Sequence, residues 1–189
     1  MTFQRPDYTE VDHEKPVVKI LISACLLGQP VRYDGKANDV KVSHVSTLLQ
    51  QWLDAGWVVP VCPEGLGGLP TPRPAAEIQQ GDGAAVLQHQ AEVITRSGED
   101  VSAAFIAGAQ RTLAIARQHN ACAALLAARS PSCGSDGIYD GQFAGRLRNG
   151  MGVTAALLEQ HGIRCFTPDK TDKLQQYLKS VITQINADS

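Results

Sequence analysis

No stretch of this 189-residue chain stays apolar long enough to span a bilayer. Its opening residues, MTFQRPDYTEVDHEKP, are polar and lack the apolar heart of a secretion signal. Both absences predict a cytoplasmic protein without a membrane partner, in a compartment where thiols stay reduced. A basic excess is missing too. The 17 Lys and Arg against 19 Asp and Glu give a formal net charge of -2, and no basic run exceeds a scattered pair. Duplex nucleic acid is therefore excluded as the main partner. The five cysteines contain no C-x-x-C pair, which removes a zinc ribbon and a thioredoxin-like dithiol. An odd number of thiols in a reducing compartment favours metal binding or catalysis over disulfides. No Ser–His–Asp order stands out. His44, His89, His119 and His161 fall in predicted helices or a predicted hairpin, and His13 lies in the polar opening. No internal domain boundary and no solenoid period is visible.

The chain has 43% hydrophobic and 19% charged residues, enough to build a core without disulfide staples. It divides into a polar lead-in over residues 1–15 and one α/β domain over residues 16–189. Four apolar runs read as strands: 17–23, 57–61, 122–127 and 163–166. Pro60 lacks an N–H, so its strand is short or lies at an edge. Between these runs the apolar spacing predicts helices. One starts near Val42 and stops at Gly56. A longer one, capped by Asp100 or Ser102, turns Phe105, Ile106, Leu113 and Ile115 inward. Another covers 153–161, with Gly162 as its stop. A final one carries Leu174, Leu178, Val181 and Ile185 on one stripe. Residues 84–87 and 92–95 are read as a small hairpin. The expected fold is a Rossmann-like, mostly parallel sheet with flanking helices and that hairpin. The long stretch SPSCGSDGIYDGQFAGRLRNGMG has no period and reads as a functional loop or as disorder.

Chemistry concentrates beyond the strand ends. Cys25 follows VVKILISA, Cys62 follows VVPV, and Cys133 follows ACAALLAARSPS. Each sits in a loop rich in Gly, Pro or Ser. Parallel strands end at a common edge where ligands bind, so three thiols far apart in sequence can meet there. Thiolates are soft ligands for iron–sulfur clusters, zinc or copper(I). A cubane 4Fe–4S cluster ordinarily takes four cysteines. With three, one iron keeps an open position and can act as a Lewis acid. Cys122 and Cys165 lie inside apolar runs and read as small buried hydrophobes.

Glu64, two residues past Cys62, is a candidate general base or proton relay. Ser130 and Ser132 flank Pro131 ahead of Cys133, and Ser23 precedes Cys25. Their hydroxyls are candidates to orient a ligand or donate a proton, against the plainer reading of turn chemistry. Arg32, Asp34, Arg73 and Tyr139 occupy the same loops and are candidate substrate contacts, against the plainer reading of solvated surface. The residues alone leave three classes open. One is an iron–sulfur enzyme, one a zinc- or cluster-holding module without turnover, and one a cysteine-nucleophile enzyme.

The blocks SACLLGQPVRYDG, VVPVCPEGLGGLPTPRPAAEI, SPSCGSDGIYDGQFAG and GMGVTAALLEQHGI resemble the motifs of the thiouracil desulfidase family. The resemblance covers about Val18 to Phe166. It implies a 4Fe–4S cluster held by Cys25, Cys62 and Cys133. It also implies removal of sulfur from a thiolated nucleobase, 2-thiouracil giving uracil and hydrogen sulfide with no net redox change. The open iron would take the substrate's sulfur while water attacks the carbon. Glu64 and Ser130 occupy motif positions suited to moving protons. The implied partners are a small thiolated heterocycle and the iron–sulfur assembly machinery. Two departures stand out. Ala127 occupies a position where the family often has lysine, and Val31 one where many members have a further cysteine.

Overall fold

The two central apolar runs become parallel strands because both of their faces are covered. The computed structural model describes residues 18–187, so the lead-in expected over 1–15 lies outside the described residues. The elements in chain order are β1 (Lys19–Ser23), α1 (Ser46–Asp54), β2 (Val58–Val61), α2 (Pro63–Leu66), β3 (Ala76–Gln79), α3 (Gly83–Leu87) and β4 (Glu92–Thr95). They continue with α4 (Ser102–Gln118), β5 (Ala121–Leu125), β6 (Ile138–Tyr139), β7 (Leu147–Arg148), α5 (Val153–Gln160), β8 (Arg164–Phe166) and α6 (Thr171–Ala187). Among the described residues, no helix is long and apolar enough to cross a membrane.

Four strands form one parallel sheet in the order β2-β1-β5-β8. Ile22 pairs with Pro60 on one side and with Leu125 on the other. Leu125 pairs in turn with Phe166. Ile20, Leu21, Ile22, Ala123, Ala124 and Leu125 are fully buried. That double-sided burial explains why these strands read as continuous apolar runs rather than alternating ones. Each fully buried Ile or Leu contributes roughly 1.5–3 kcal/mol. Pro60 falls where the sequence requires it, on an edge strand only four residues long.

The predicted hairpin is present with a different partner. Residues 84–87 belong to α3, because Asp82 caps it: its Oδ1 accepts the N–H groups of Ala84 and Ala85 at 3.1 and 3.2 Å. β4 instead pairs antiparallel with β3, Ile78 opposite Val93. The stretch expected to be entirely loop after Cys62 thus contains both α2 and β3. The aperiodic stretch 130–152 also carries structure, a minimal antiparallel pair of β6 and β7. The stripe on α6 docks through Leu174 and Leu178, both buried, and runs out to Ile185, which is exposed.

α2 is a single turn, too short to stand alone. Its position is set by α4. A methyl group at Gly108 would lie 2.0 Å from the Pro63 carbonyl oxygen, and one at Gly67 would lie 2.1 Å from the Ala104 carbonyl oxygen. The two backbones are therefore in contact, and Arg111 donates from its guanidinium to the Leu66 carbonyl. Gly108→Ala should accordingly destabilise the protein although alanine is the better helix former. Overpacking against immovable backbone costs about 1–3 kcal/mol, against a propensity gain of about 1 kcal/mol. The check is a lower urea midpoint for the variant, with an unchanged slope.

Candidate metal centre

The sheet order dictates where the loops gather. From β1 the chain proceeds to β2 on one side, and later to β5 on the other, so the crevice between β1 and β5 is the topological switch point. Cys25 lies two residues past β1, in a 3-10 turn over Ala24–Leu27. Cys62 immediately follows β2 and starts α2. Cys133 follows β5 after a turn in which the Ser130 carbonyl accepts from the Gly134 N–H at 2.9 Å. All three residues line one cavity of about 880 Å³.

The thiols influence one another's ionisation. Burial, helped by a charge on Cys62 and opposed by Arg32, pushes Cys25 up to about 11. Cys133 is pushed up as well, chiefly by burial. The Ser23 hydroxyl lowers it, while Cys25, Glu64 and Cys62 raise it. Burial therefore favours the neutral thiols at Cys25 and Cys133, and a thiophilic cation binding there has to displace their protons.

Around the thiols the hydrogen bonding is directional. Ser23 Oγ accepts the Ala127 N–H at 3.0 Å and donates to Cys133 Sγ at 3.6 Å. Ser130 Oγ accepts from the N–H groups of Ser132 and Cys133 at 3.0 and 3.2 Å. With both lone pairs engaged, its own proton is directed to Glu64 Oε1, 3.3 Å away. Glu64 Oε2 in turn receives Arg73 Nε at 2.6 Å, and both side chains are largely buried. Arg73 also donates to the carbonyls of Pro70 and Val31 at 3.0 and 3.2 Å. The carboxylate is fixed at both oxygens beside Cys62 and Cys133.

Of the predicted contacts, Glu64, Ser130, Arg32, Arg73 and Tyr139 line the cavity with the three cysteines. Ser23, Asp34 and Ser132 do not. Ser23 is buried beneath the site with its hydroxyl consumed as described. Ser132 points into the interior, 2.9 Å from Thr154 Oγ1. Asp34 pairs with Arg32 at 3.5 Å and accepts the Lys36 N–H at 3.1 Å. Cys122 and Cys165 do not line the cavity and donate to carbonyl oxygens of their own surroundings, although Cys165 is close enough to Cys133 to feel its charge. Sequence reasoning missed His44, Glu77, Arg96 and Phe143, which also line the cavity. His44 reads from sequence as one of the helical histidines, yet its 3-10 segment, Asp39–Val45, brings it to the cavity wall. Glu77 carried a usable signal: a lone acid within Ala-Ala-Glu-Ile, buried in β3.

The donor set can be tested against possible occupants. Among the described residues, no three His, Cys, Asp or Glu side chains close around a single metal ion. Three thiols on one cavity with no three ligands closed around a point suit a soft, thiolate-liganded group of more than one metal rather than the tetrahedral shell of a lone zinc ion.

Fold and site together define a class: a parallel α/β protein with a thiol-lined cavity, and a carboxylate locked beside it, at the switch point of the sheet. The chain belongs to the 2-thiouracil desulfurase family, whose model matches residues 20–170. It is 44% identical over 156 residues to the uncharacterized protein YbbK of Bacillus subtilis (strain 168), covering 82% of this chain and 99% of that one. Among solved structures it is similar to a 4Fe-4S-dependent thiouracil desulfidase, TudS. The TM-score is 0.76 and the identity 44%, over 86% of this chain and 98% of that one.

Proposed function

We propose that this protein converts a thiolated nucleobase, 2-thiouracil or a close relative, and water to the oxo base and hydrogen sulfide. A 4Fe–4S cluster held by Cys25, Cys62 and Cys133 would be its cofactor. The observation that carries the reading is the meeting of three strand-end thiols on one cavity, next to a carboxylate and a hydroxyl held in fixed orientation. Family membership and the similarity to TudS support it. The reaction exchanges C=S for C=O, so no electron donor is needed. When bound, a cluster with three protein thiolates supplies a Lewis-acidic iron with an affinity for sulfur.

The remaining work belongs to the side chains. Glu64 is positioned to take a proton from the attacking water, since Arg73 and Ser130 fix its oxygens and restrict it to one geometry. Ser130 carries its single proton toward Glu64 and shares it with whatever lone pair approaches from the cavity. Arg73 stabilises the carboxylate before transfer and holds it in place afterwards. Arg32 and Tyr139 lie on the wall where polar atoms of a ring would be met.

The direct test is anaerobic reconstitution followed by incubation with 2-thiouracil. Uracil and sulfide should appear in equal amounts with no added reductant. Protein that retains a full complement of iron and sulfide yet releases neither product would refute the reading.

A further inference from the structure

One wall of the cavity is a hairpin with little ladder of its own. β6 and β7 are two residues each, joined by residues 140–146, and pair Ile138 with Arg148 and Tyr139 with Leu147. Beyond that pairing the hairpin adds the Asp140 N–H to the Arg146 carbonyl at 3.0 Å, the Gly137 N–H to the Gly150 carbonyl at 3.1 Å, an Arg146–Asp140 ion pair at 3.3 Å and a single bridge from Ile138 to Arg129. An isolated two-stranded hairpin is marginal at several times that length. This one nevertheless contributes Tyr139, Phe143, Gly145 and Leu147 to the cavity lining.

What fastens it comes from another part of the fold. Glu77 on β3 is 7% exposed. Its Oε2 accepts the N–H of Gly141 at 2.9 Å and that of Phe143 at 3.0 Å. Burying a carboxylate is costly unless charged hydrogen bonds compensate, and two backbone donors converging on one oxygen do so. The turn is shaped to reach it. Gly141 has φ +86, and a Cβ there would lie 2.6 Å from the Ile78 carbonyl oxygen. Phe143 is held at φ +53. Arg96, next after β4, places its guanidinium 5.4 Å from the centre of the Phe143 ring. The β3–β4 pair therefore grips the hairpin from below at two points.

We propose that Glu77 is a positioning residue: it latches the β6–β7 hairpin over the thiol-lined cavity, and the latched hairpin sets how tightly a flat heterocycle is held. This extends the desulfuration reading and rests on it for the nature of the ring. The latch itself is a property of the chain and can be read without turnover. Arg146 at the end of the turn is exposed, with 73% of its side chain accessible, so trypsin reports on opening there.

The experiment compares reconstituted wild type with Glu77→Ala, Glu77→Gln and Gly141→Ala. It measures iron content, the rate of tryptic cleavage after Arg146 by mass spectrometry, and the KM and kcat for 2-thiouracil. Glu77→Ala should keep its iron, accelerate cleavage after Arg146 about tenfold or more, and raise KM by a similar factor with much less effect on kcat. Glu77→Gln should restore most of both, because its side-chain carbonyl can accept the same two N–H groups. Gly141→Ala disturbs the latch from the hairpin side and should reproduce the alanine phenotype with Glu77 intact. Wild-type cleavage rates in both Glu77→Ala and Gly141→Ala would overturn the latch. So would a Gln variant as impaired as the Ala variant, which would assign the carboxylate's charge a direct role. If wild type releases no sulfide, the desulfuration reading falls, and the cleavage rates still decide the latch.

Discussion

Replacing any one of Cys25, Cys62 or Cys133 with serine is expected to abolish iron retention and sulfide release together. The three losses should be alike, each about a thousandfold or more in kcat, equivalent to roughly 4 kcal/mol of barrier. The reason is geometric. The thiols follow three different strands and line one cavity that no other cysteine lines, so each supplies a separate corner. Serine preserves the shape but exchanges a soft ligand for a hard one. The measurements are iron and acid-labile sulfide per chain, the visible absorbance of the cluster, and sulfide release from 2-thiouracil. Cys122→Ser provides the control: its Sγ donates to the Lys19 carbonyl, 3.6 Å away, and the residue does not line the cavity. A cysteine-nucleophile enzyme would behave differently. One substitution would then be fatal, the other two milder, and iron would have no bearing on the rate.

The second large effect is expected at Glu64. Glu64→Gln keeps the size and one accepting oxygen but removes the ability to take up a proton. General-base removal costs typically 10²–10⁴-fold, so kcat should fall by about that factor with KM little changed. Iron content should stay at the wild-type level, which separates loss of chemistry from loss of the cofactor. Ser130→Ala should also lower kcat, and the double variant should be scarcely worse than Glu64→Gln alone, because the two side chains share one proton path. Arg73→Met is the sharper test of orientation. It leaves Glu64 buried without its 2.6 Å partner, and an unpaired buried carboxylate is costly. This variant should lose stability as well as rate. Arg73→Lys should recover part of the stability but less of the rate, because lysine cannot reproduce the Nε contact and the carbonyl contacts together.

Much of this was legible in the chain, and the limits have physical causes. Strands buried on both faces announce themselves as apolar runs, so β1 and β5 could be read directly; the partly exposed edge strands β2 and β8 were still visible as short apolar runs, and Pro60 marked an edge. Thiols just past such runs could be placed at one sheet edge by topology alone. Residues 84–87 were misread because a short apolar run fits a strand and a helical turn equally well. The deciding residue was Asp82, whose carboxylate caps that turn. Side-chain direction was beyond reach. Ser23, Ser130 and Ser132 are alike in sequence context, yet only Ser130 lines the cavity, because Ala127 and Cys133 engage Ser23 and Thr154 engages Ser132. Glu77 was overlooked because its partners, the N–H groups of Gly141 and Phe143, lie more than 60 positions away in a stretch with no periodicity.

The backbone contacts between α2 and α4 that Gly67 and Gly108 permit bear on how such a site can be transplanted. Cys62 and Glu64 ride on a turn that borrows its shape from a helix some forty residues downstream. A chimera that grafts the Cys-Pro-Glu-Gly segment onto a related sheet would inherit the functional groups without their mould. The smallest portable unit is that segment together with the glycine-bearing face of α4, and exchange between relatives should succeed only when both travel together.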